Sequence, residues 1–264
     1  MSDPTGTPSD LASAAGRSPQ GRLLGKRAVI TGAARGIGAE IARTYAAHGA
    51  RVALIDVAAD RLAETAACLE APSFVVDLRD ADATRTAMSE AIVALGGIDV
   101  LVNNAGVLRF SSILDMSVED WDLTFDVNAR AMLVTTQVAA RSMIEQGDGG
   151  RIVNMASMGG KLGAAGQAHY SAAKAAVIAF TRVCAMEFGP HQINVNCICP
   201  GYVLTEMGAA TRTAEMVATW SAKSPLGRLA EPSDVANMAL FCASADSSYC
   251  TGQAFNVSGG MVMH

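Results

Sequence analysis

The sequence predicts one doubly wound α/β domain, a parallel sheet of about seven strands with helices on both faces. Three observations carry that expectation. From Gly25 onward, short runs rich in β-branched residues alternate with Ala-rich stretches of helical length, the pattern of β-α-β units. The short runs are apolar almost throughout, as strands covered on both faces must be. A glycine-rich turn follows the first run and opens the first helix, and right-handed crossovers from such units wind the sheet in both directions.

Taken in order, the predicted strands are Arg27–Thr31, Arg51–Val57, Ser73–Leu78, Asp99–Asn103, Arg151–Met155, Ile193–Ile198 and Ala254–Val257. The helices between them are Ile37–His48, Ala59–Leu69, Ala81–Leu95, Val118–Glu145, Ala168–Phe188 and Pro232–Ala243. Their ends carry local signals. Gly147-Asp148-Gly149-Gly150 stops the long helix before the fifth strand, Gly189-Pro190 stops the next, and Pro200-Gly201 closes the sixth strand. The stretch from Tyr202 to Ser224, with Met207, Met216 and Trp220, has no strand pattern. It reads equally as a lid over a pocket or as a helical insertion packed on the surface. No linker or internal repeat divides the chain.

Composition narrows the class. The chain has 264 residues, half of them apolar and 17% charged, which is globular. A net charge of −5 argues against a nucleic-acid or polybasic membrane partner. No apolar run is long enough to span a bilayer. The six cysteines form no C-x-x-C pair and read as reduced core thiols, with Cys197 and Cys199 on the same side of one strand. Residues 1–20 are small and polar with no apolar signal core, so a disordered extension is expected before a domain over 21–264, in a cytoplasmic protein. The four histidines are scattered and no metal site is expected; His169 is expected at the surface.

Two motifs carry chemistry. Thr31-Gly32-Ala33-Ala34-Arg35-Gly36-Ile37-Gly38 lies between the first strand and helix. Gly32 permits a tight turn, Gly36 lets backbone approach a pyrophosphate, and Gly38 lets the helix pack on the strand, while the helix N-terminus at Ile37 offers free N–H groups. Asp56, ending the second strand, stands where an acid binds the adenosine ribose and repels a 2′-phosphate, which favours NAD over NADP. Arg35 pulls the other way, since it could pair with that phosphate. Asp77 ends the third strand and reads either as an adenine contact or as an ordinary strand-end acid. Asn103-Asn104-Ala105-Gly106 suits close approach of backbone to cofactor, or a turn bonded by its own amides.

The second motif is Tyr170-x-x-x-Lys174. Four residues apart, the two share a helix face. A neighbouring ammonium favours a phenolate, making Tyr170 a group able to take a proton from an alcohol or give one to a carbonyl. Ser157, ending the fifth strand, can bond the same substrate oxygen. Asn128 is poorly suited to a helix interior, which suggests a local task such as holding a water.

Together these residues resemble the short-chain dehydrogenase/reductase family over Leu23 to Met261, with Asn128, Pro200-Gly201 and the terminal Val257-Ser258-Gly259-Gly260 adding to the match. The resemblance implies a Rossmann-type fold, a catalytic tetrad of Asn128, Ser157, Tyr170 and Lys174, and a nicotinamide cofactor whose ribose Lys174 also holds. It places Pro200, Gly201, Val203 and Thr205 beside the nicotinamide and implies a homotetramer. Ser258 departs from the acid that many relatives carry there. The substrate stays open. Pro200-Gly-Tyr-Val-Leu-Thr-Glu-Met207 is similar to oxidisers of polyols and sugars, and Gly166-Gln-Ala-His-Tyr170 to 3-oxoacyl-thioester reductases. A small alcohol or ketone is the expected partner, and a redox sensor is the non-enzyme alternative.

Overall fold

The computed structural model describes residues 21–206 and 213–264. Its strands are β1 (Arg27–Thr31), β2 (Arg51–Asp56), β3 (Ser73–Val75), β4 (Val100–Asn103), β5 (Gly150–Met155), β6 (Ile193–Pro200) and β7 (Ala254–Val257). They form one sheet in the order β3-β2-β1-β4-β5-β6-β7, every pair parallel. The helices are α1 (Gly36–Ala47), α2 (Ala59–Leu69), α3 (Ala81–Leu95), α4 (Val118–Phe125), α5 (Ala131–Gln146), α6 (Gly159–Leu162), α7 (Ala168–Phe188), α8 (Ala214–Ala222) and α9 (Pro232–Ala243).

The two faces follow from the alternation within each strand. In β1, Ala28 and Ile30 share a core with Ile41 and Tyr45 of α1 and with Val235 and Leu240 of α9. Val29, pointing the other way, shares one with Met88 of α3 and Met143 of α5. The winding reverses between β1 and β4, and the loops leaving those two strands flank a crevice at the sheet's C-terminal edge, the usual ligand position in such folds.

The main differences from the expected elements have local reasons. β3 stops at Val75 instead of Leu78, because Asp77 and Asp80 turn the chain: Asp80 N–H donates to the Asp77 carbonyl, and the Asp80 side chain caps α3. The single long helix over Val118–Glu145 is interrupted by a π turn at Asp126–Arg130. A short α6 follows β5, too brief for periodicity to reveal. Within Tyr202–Ser224 the described residues include the helix α8, and Trp220 on it stacks on Tyr202 with ring centroids 4.5 Å apart. That favours a packed helical insertion, whose Met207 lies outside the described residues, as does the expected extension over 1–20.

A buried polar cluster holds the layers in register. Asn103 of β4 donates to Asn154 Oδ1 of β5 at 2.9 Å and to Thr136 Oγ1 at 3.1 Å, and Asn154 donates to Thr181 Oγ1 of α7 at 3.0 Å. Every one of these amides is paired, and an orphaned buried amide would cost about 1–3 kcal/mol.

Candidate active site

The glycine turn is fixed by clearance. A Cβ on Gly32 would stand 2.7 Å from the Ala105 Cα, and one on Gly38 would strike the Gly32 carbonyl oxygen. Gly32 and Gly36 also adopt positive φ, +64° and +57°, where other residues are strained. Asn104 ties the turn to β4: its Nδ2 donates to the Thr31 and Gly32 carbonyls at 3.1 and 3.0 Å, and Thr31 Oγ1 accepts from the Asn104 and Ala105 N–H groups. The Asn104–Gly106 segment is thus a turn bonded by its own amide.

Asp56 sits at the mouth of the crevice with its carboxylate oriented. Oδ2 accepts from the Ala34 N–H and Oδ1 from the Ala58 N–H, each at 3.0 Å. Arg35 is exposed. Asp77 is engaged by Arg79, whose Nε donates to Oδ2 at 2.8 Å. That pair holds the Asp77 carboxyl below its ordinary value.

Three segments bring the tetrad together: α7, the residues just after β5 and the π turn. Lys174, one turn beyond Tyr170 on α7, has its Nζ 5.7 Å from the centre of the Tyr170 ring. It is buried and donates to the Met155 carbonyl of β5 at 2.7 Å. Burial lowers its pKa from 10.5 to about 8, against an opposing influence of Cys199 and Cys197. Burial raises the Tyr170 phenol above its ordinary value, and the neighbouring Ser157 hydroxyl works against that rise. The phenol therefore stands above its ordinary value, whereas the spacing to Lys174 predicts a value below it. Ser157 Oγ also accepts from the Gly159 N–H at 3.0 Å.

Asn128 lies in the π turn, fully buried. Its side chain accepts from the Val107 N–H at 3.1 Å and donates to the Val107 carbonyl at 2.9 Å. Its amide clamps the loop leaving β4. π turns of this kind recur at functional sites. A Cβ on Gly106 would stand 2.6 Å from Asn128 Oδ1 and 3.6 Å from Lys174 Nζ, so Gly106 is needed for these two groups to approach.

Pro200 and Gly201 end β6 beside this group: the Met158 N–H donates to the Pro200 carbonyl, and Gly201 N–H to the Val257 carbonyl. Val203 pairs with Ala230 and Thr205 N–H donates to the Val203 carbonyl, which turns Thr205 toward the glycine turn, its Cγ2 3.5 Å from where a Gly36 Cβ would be. Ser258 bonds within its own turn, to Val262.

His169 is the clear correction. Expected at the surface, it is fully buried, and neither ring nitrogen has a hydrogen-bond partner among the described residues. The i, i+4 series His169, Ala173, Val177, Thr181 forms the buried face of α7, and the histidine follows that face inward. The Met155 carbonyl that receives Lys174 was also beyond sequence reasoning, since backbone oxygens leave no residue signal. All six cysteines are free thiols. Among the described residues no cluster suited to a metal ion occurs, and no helix is long and apolar enough to cross a membrane.

Comparison with known proteins fits this geometry. A family model described as enoyl-(acyl carrier protein) reductase matches residues 32–262. The oxidoreductase UcpA of Escherichia coli O157:H7 is 41% identical over 255 residues, covering 92% of this chain and 97% of that protein. The galactitol 2-dehydrogenase of Agrobacterium fabrum is 37% identical over 254 residues, covering 90% and 98%. A crystal structure of a short-chain type dehydrogenase/reductase from Mycobacterium marinum superposes with a TM-score of 0.86 at 38% identity, covering 92% of this chain and 97% of that one.

Proposed function

The chain belongs to the short-chain dehydrogenase/reductase family, and on that premise we propose that it is a cytoplasmic NAD-dependent dehydrogenase of secondary alcohols, with a polyol or sugar as substrate. The observation that carries the reaction is the convergence of Ser157 and Lys174 on Tyr170, with Ser157 Oγ and the Tyr170 ring both against Gly159 and Lys174 Nζ 5.7 Å from the ring centre. A dinucleotide suits this crevice, because Gly32, Gly38 and Gly106 let the turn after β1, the start of α1 and the loop after β4 pack closely at its edge, the arrangement that brings backbone N–H groups up to a pyrophosphate. Gly36, Ile37 and Arg35 would border the pyrophosphate, Asp56 the adenosine ribose, Asp77 the adenine end, and Asn104, Ala105, Gly106, Pro200, Gly201, Val203 and Thr205 the nicotinamide half.

When bound, the nicotinamide supplies the hydride acceptor or donor. The protein supplies the proton chemistry. Ser157 orients the substrate oxygen toward the Tyr170 hydroxyl, Tyr170 takes or gives the proton, and Lys174, held by Met155, supplies positive charge beside it and a ligand for the nicotinamide ribose. Asn128 keeps the Val107 loop in place next to this group. The polyol reading draws on the similarity to a galactitol 2-dehydrogenase. Similarity to an acetoacetyl-CoA reductase of Acinetobacter and a 3-oxoacyl-[acyl-carrier-protein] reductase of Aquifex aeolicus, each 37% identical, supports the second reading, reduction of a 3-oxoacyl thioester or another ketone. A panel of secondary alcohols and polyols with NAD, read as NADH formation, tests the first reading. Activity only with ketones and a reduced cofactor would move the assignment to the second, and cofactor binding without turnover of any alcohol or ketone would leave a sensor.

The NAD preference rests on Asp56, whose carboxylate is already aimed by two backbone N–H groups. NAD is expected to be favoured over NADP by at least ~10-fold in kcat/KM. Asp56→Ser removes the charge that repels a 2′-phosphate, so NADP use should rise and NAD use fall. A preference of the unmodified enzyme for NADP would give Arg35 the decisive role and reverse the assignment.

We propose a homotetramer as well, built on the long helices that carry Asn128 and Tyr170. Exposed apolar side chains on those helices, Leu133 of α5 with Val183 and Met186 of α7, support it. Light scattering should give about four times the 27.2 kDa chain mass; a monomer at micromolar concentration would refute it.

A further inference from the structure

Glu206 follows Thr205 and lies directly against the glycine turn. Its carboxylate oxygen Oε2 is 3.6 Å from where a Cβ on Gly36 would stand, in line with the Thr205 methyl at 3.5 Å. Gly36 is the first residue of α1, whose first turn carries no acidic residue of its own. The positive end of the α1 dipole therefore has beside it a carboxylate supplied by a distant segment. Nothing in the sequence pattern placed Glu206 there: 170 residues separate it from Gly36, and it is the β6 crossover that brings the two together.

We propose that Glu206 is a further residue of the cofactor site, one that opposes the cofactor's pyrophosphate and hastens its release. The proposal rests on the assignment of the crevice to a dinucleotide. The pyrophosphate and the Glu206 carboxylate are both anions drawn to the same helix terminus. Binding of the dinucleotide must either displace the carboxylate or hold two like charges within a few ångströms, and either course weakens binding in proportion to the charge present. Adenosine, which has no phosphate, escapes the penalty. A dehydrogenase benefits from such a residue, because release of the product cofactor sets the turnover rate in many enzymes of well-developed efficiency.

The test uses the full chain and three probes: NADH, ADP-ribose and adenosine, titrated at low and at moderate ionic strength. Glu206→Gln keeps the shape of the side chain and removes the charge. It should tighten NADH and ADP-ribose by about 5- to 10-fold at low salt, with the gain shrinking as salt rises, and leave adenosine unchanged. Dissociation of NADH, followed by stopped-flow fluorescence, should slow by a similar factor. Glu215→Gln, an exposed carboxylate of α8, controls for net charge and should change none of the constants. ADP-ribose and NADH affinities within twofold of the unmodified chain would overturn the proposal. So would equal tightening of adenosine, or an equal effect of Glu215→Gln. Because no probe requires turnover, an error in the alcohol substrate leaves this test untouched. An unmodified chain that binds ADP-ribose no better than adenosine overturns the proposal together with the dinucleotide assignment.

Discussion

Tyr170→Phe is expected to lower kcat by at least ~10²-fold, the lower end of what a positioned acid or base contributes, while NADH affinity changes little. The substitution keeps the ring, and with it the packing against Gly159, whose Cβ position is 3.6 Å from a Tyr170 ring carbon. What it removes is the hydroxyl that Ser157 neighbours. Burial holds that phenol above its ordinary range in the cofactor-free protein, so the unaided tyrosine is a poor base at neutral pH. The positive charge of Lys174, and of an oxidised nicotinamide when present, must overcome that desolvation for the group to work. The unmodified enzyme should therefore oxidise alcohols faster as pH rises, and the phenylalanine variant should lose that dependence along with its rate. Near-normal turnover in the variant would remove Tyr170 from its role.

Lys174→Met should separate function from stability. Activity is expected to fall by ~10²-fold or more, since the variant lacks both the charge beside Tyr170 and the ribose ligand, and NADH should bind more weakly. Stability should move the other way. The buried ammonium titrates at about 8 against an ordinary 10.5, a difference equivalent to about 3 kcal/mol of cost to the folded state at neutral pH. The lost hydrogen bond to Met155 offsets about 1–1.5 kcal/mol of this, leaving the methionine variant more stable by about 1–2 kcal/mol at pH 7. The cost is fully present below pH 8, where both folded and unfolded chains carry the proton. Between pH 8 and 10.5 the folded chain releases its proton first, so this contribution to stability rises with pH. The advantage of the variant, measured by urea unfolding at pH 7 and again at pH 9.5, should accordingly shrink at the higher pH. A variant less stable at pH 7, or an advantage independent of pH, would contradict the desolvation argument.

Much of this was already written into the chain. Strand and helix periodicity fixed the order of the elements. Gly32, Gly36 and Gly38 announced a turn that only small residues can make, Tyr170 and Lys174 announced a shared helix face, and Asp56 fell at a strand end because the length of the first β-α-β unit puts it there. These are local properties. They depend on sterics and side-chain direction within a few residues, and a linear sequence records them in full.

What the sequence could not supply depends on contacts between distant segments. The capture of Lys174 by the Met155 carbonyl, the clamp of Asn128 on Val107, the arrival of Glu206 at Gly36 and the burial of His169 all arise when separate crossovers meet at one edge of the sheet. The ionisation of the tetrad belongs to the same class. Spacing alone put an ammonium beside a phenol and implied a lowered pKa for Tyr170. Packing withdrew both groups from water, and the desolvation cost, which exists only in the assembled fold, reversed the sign of that shift.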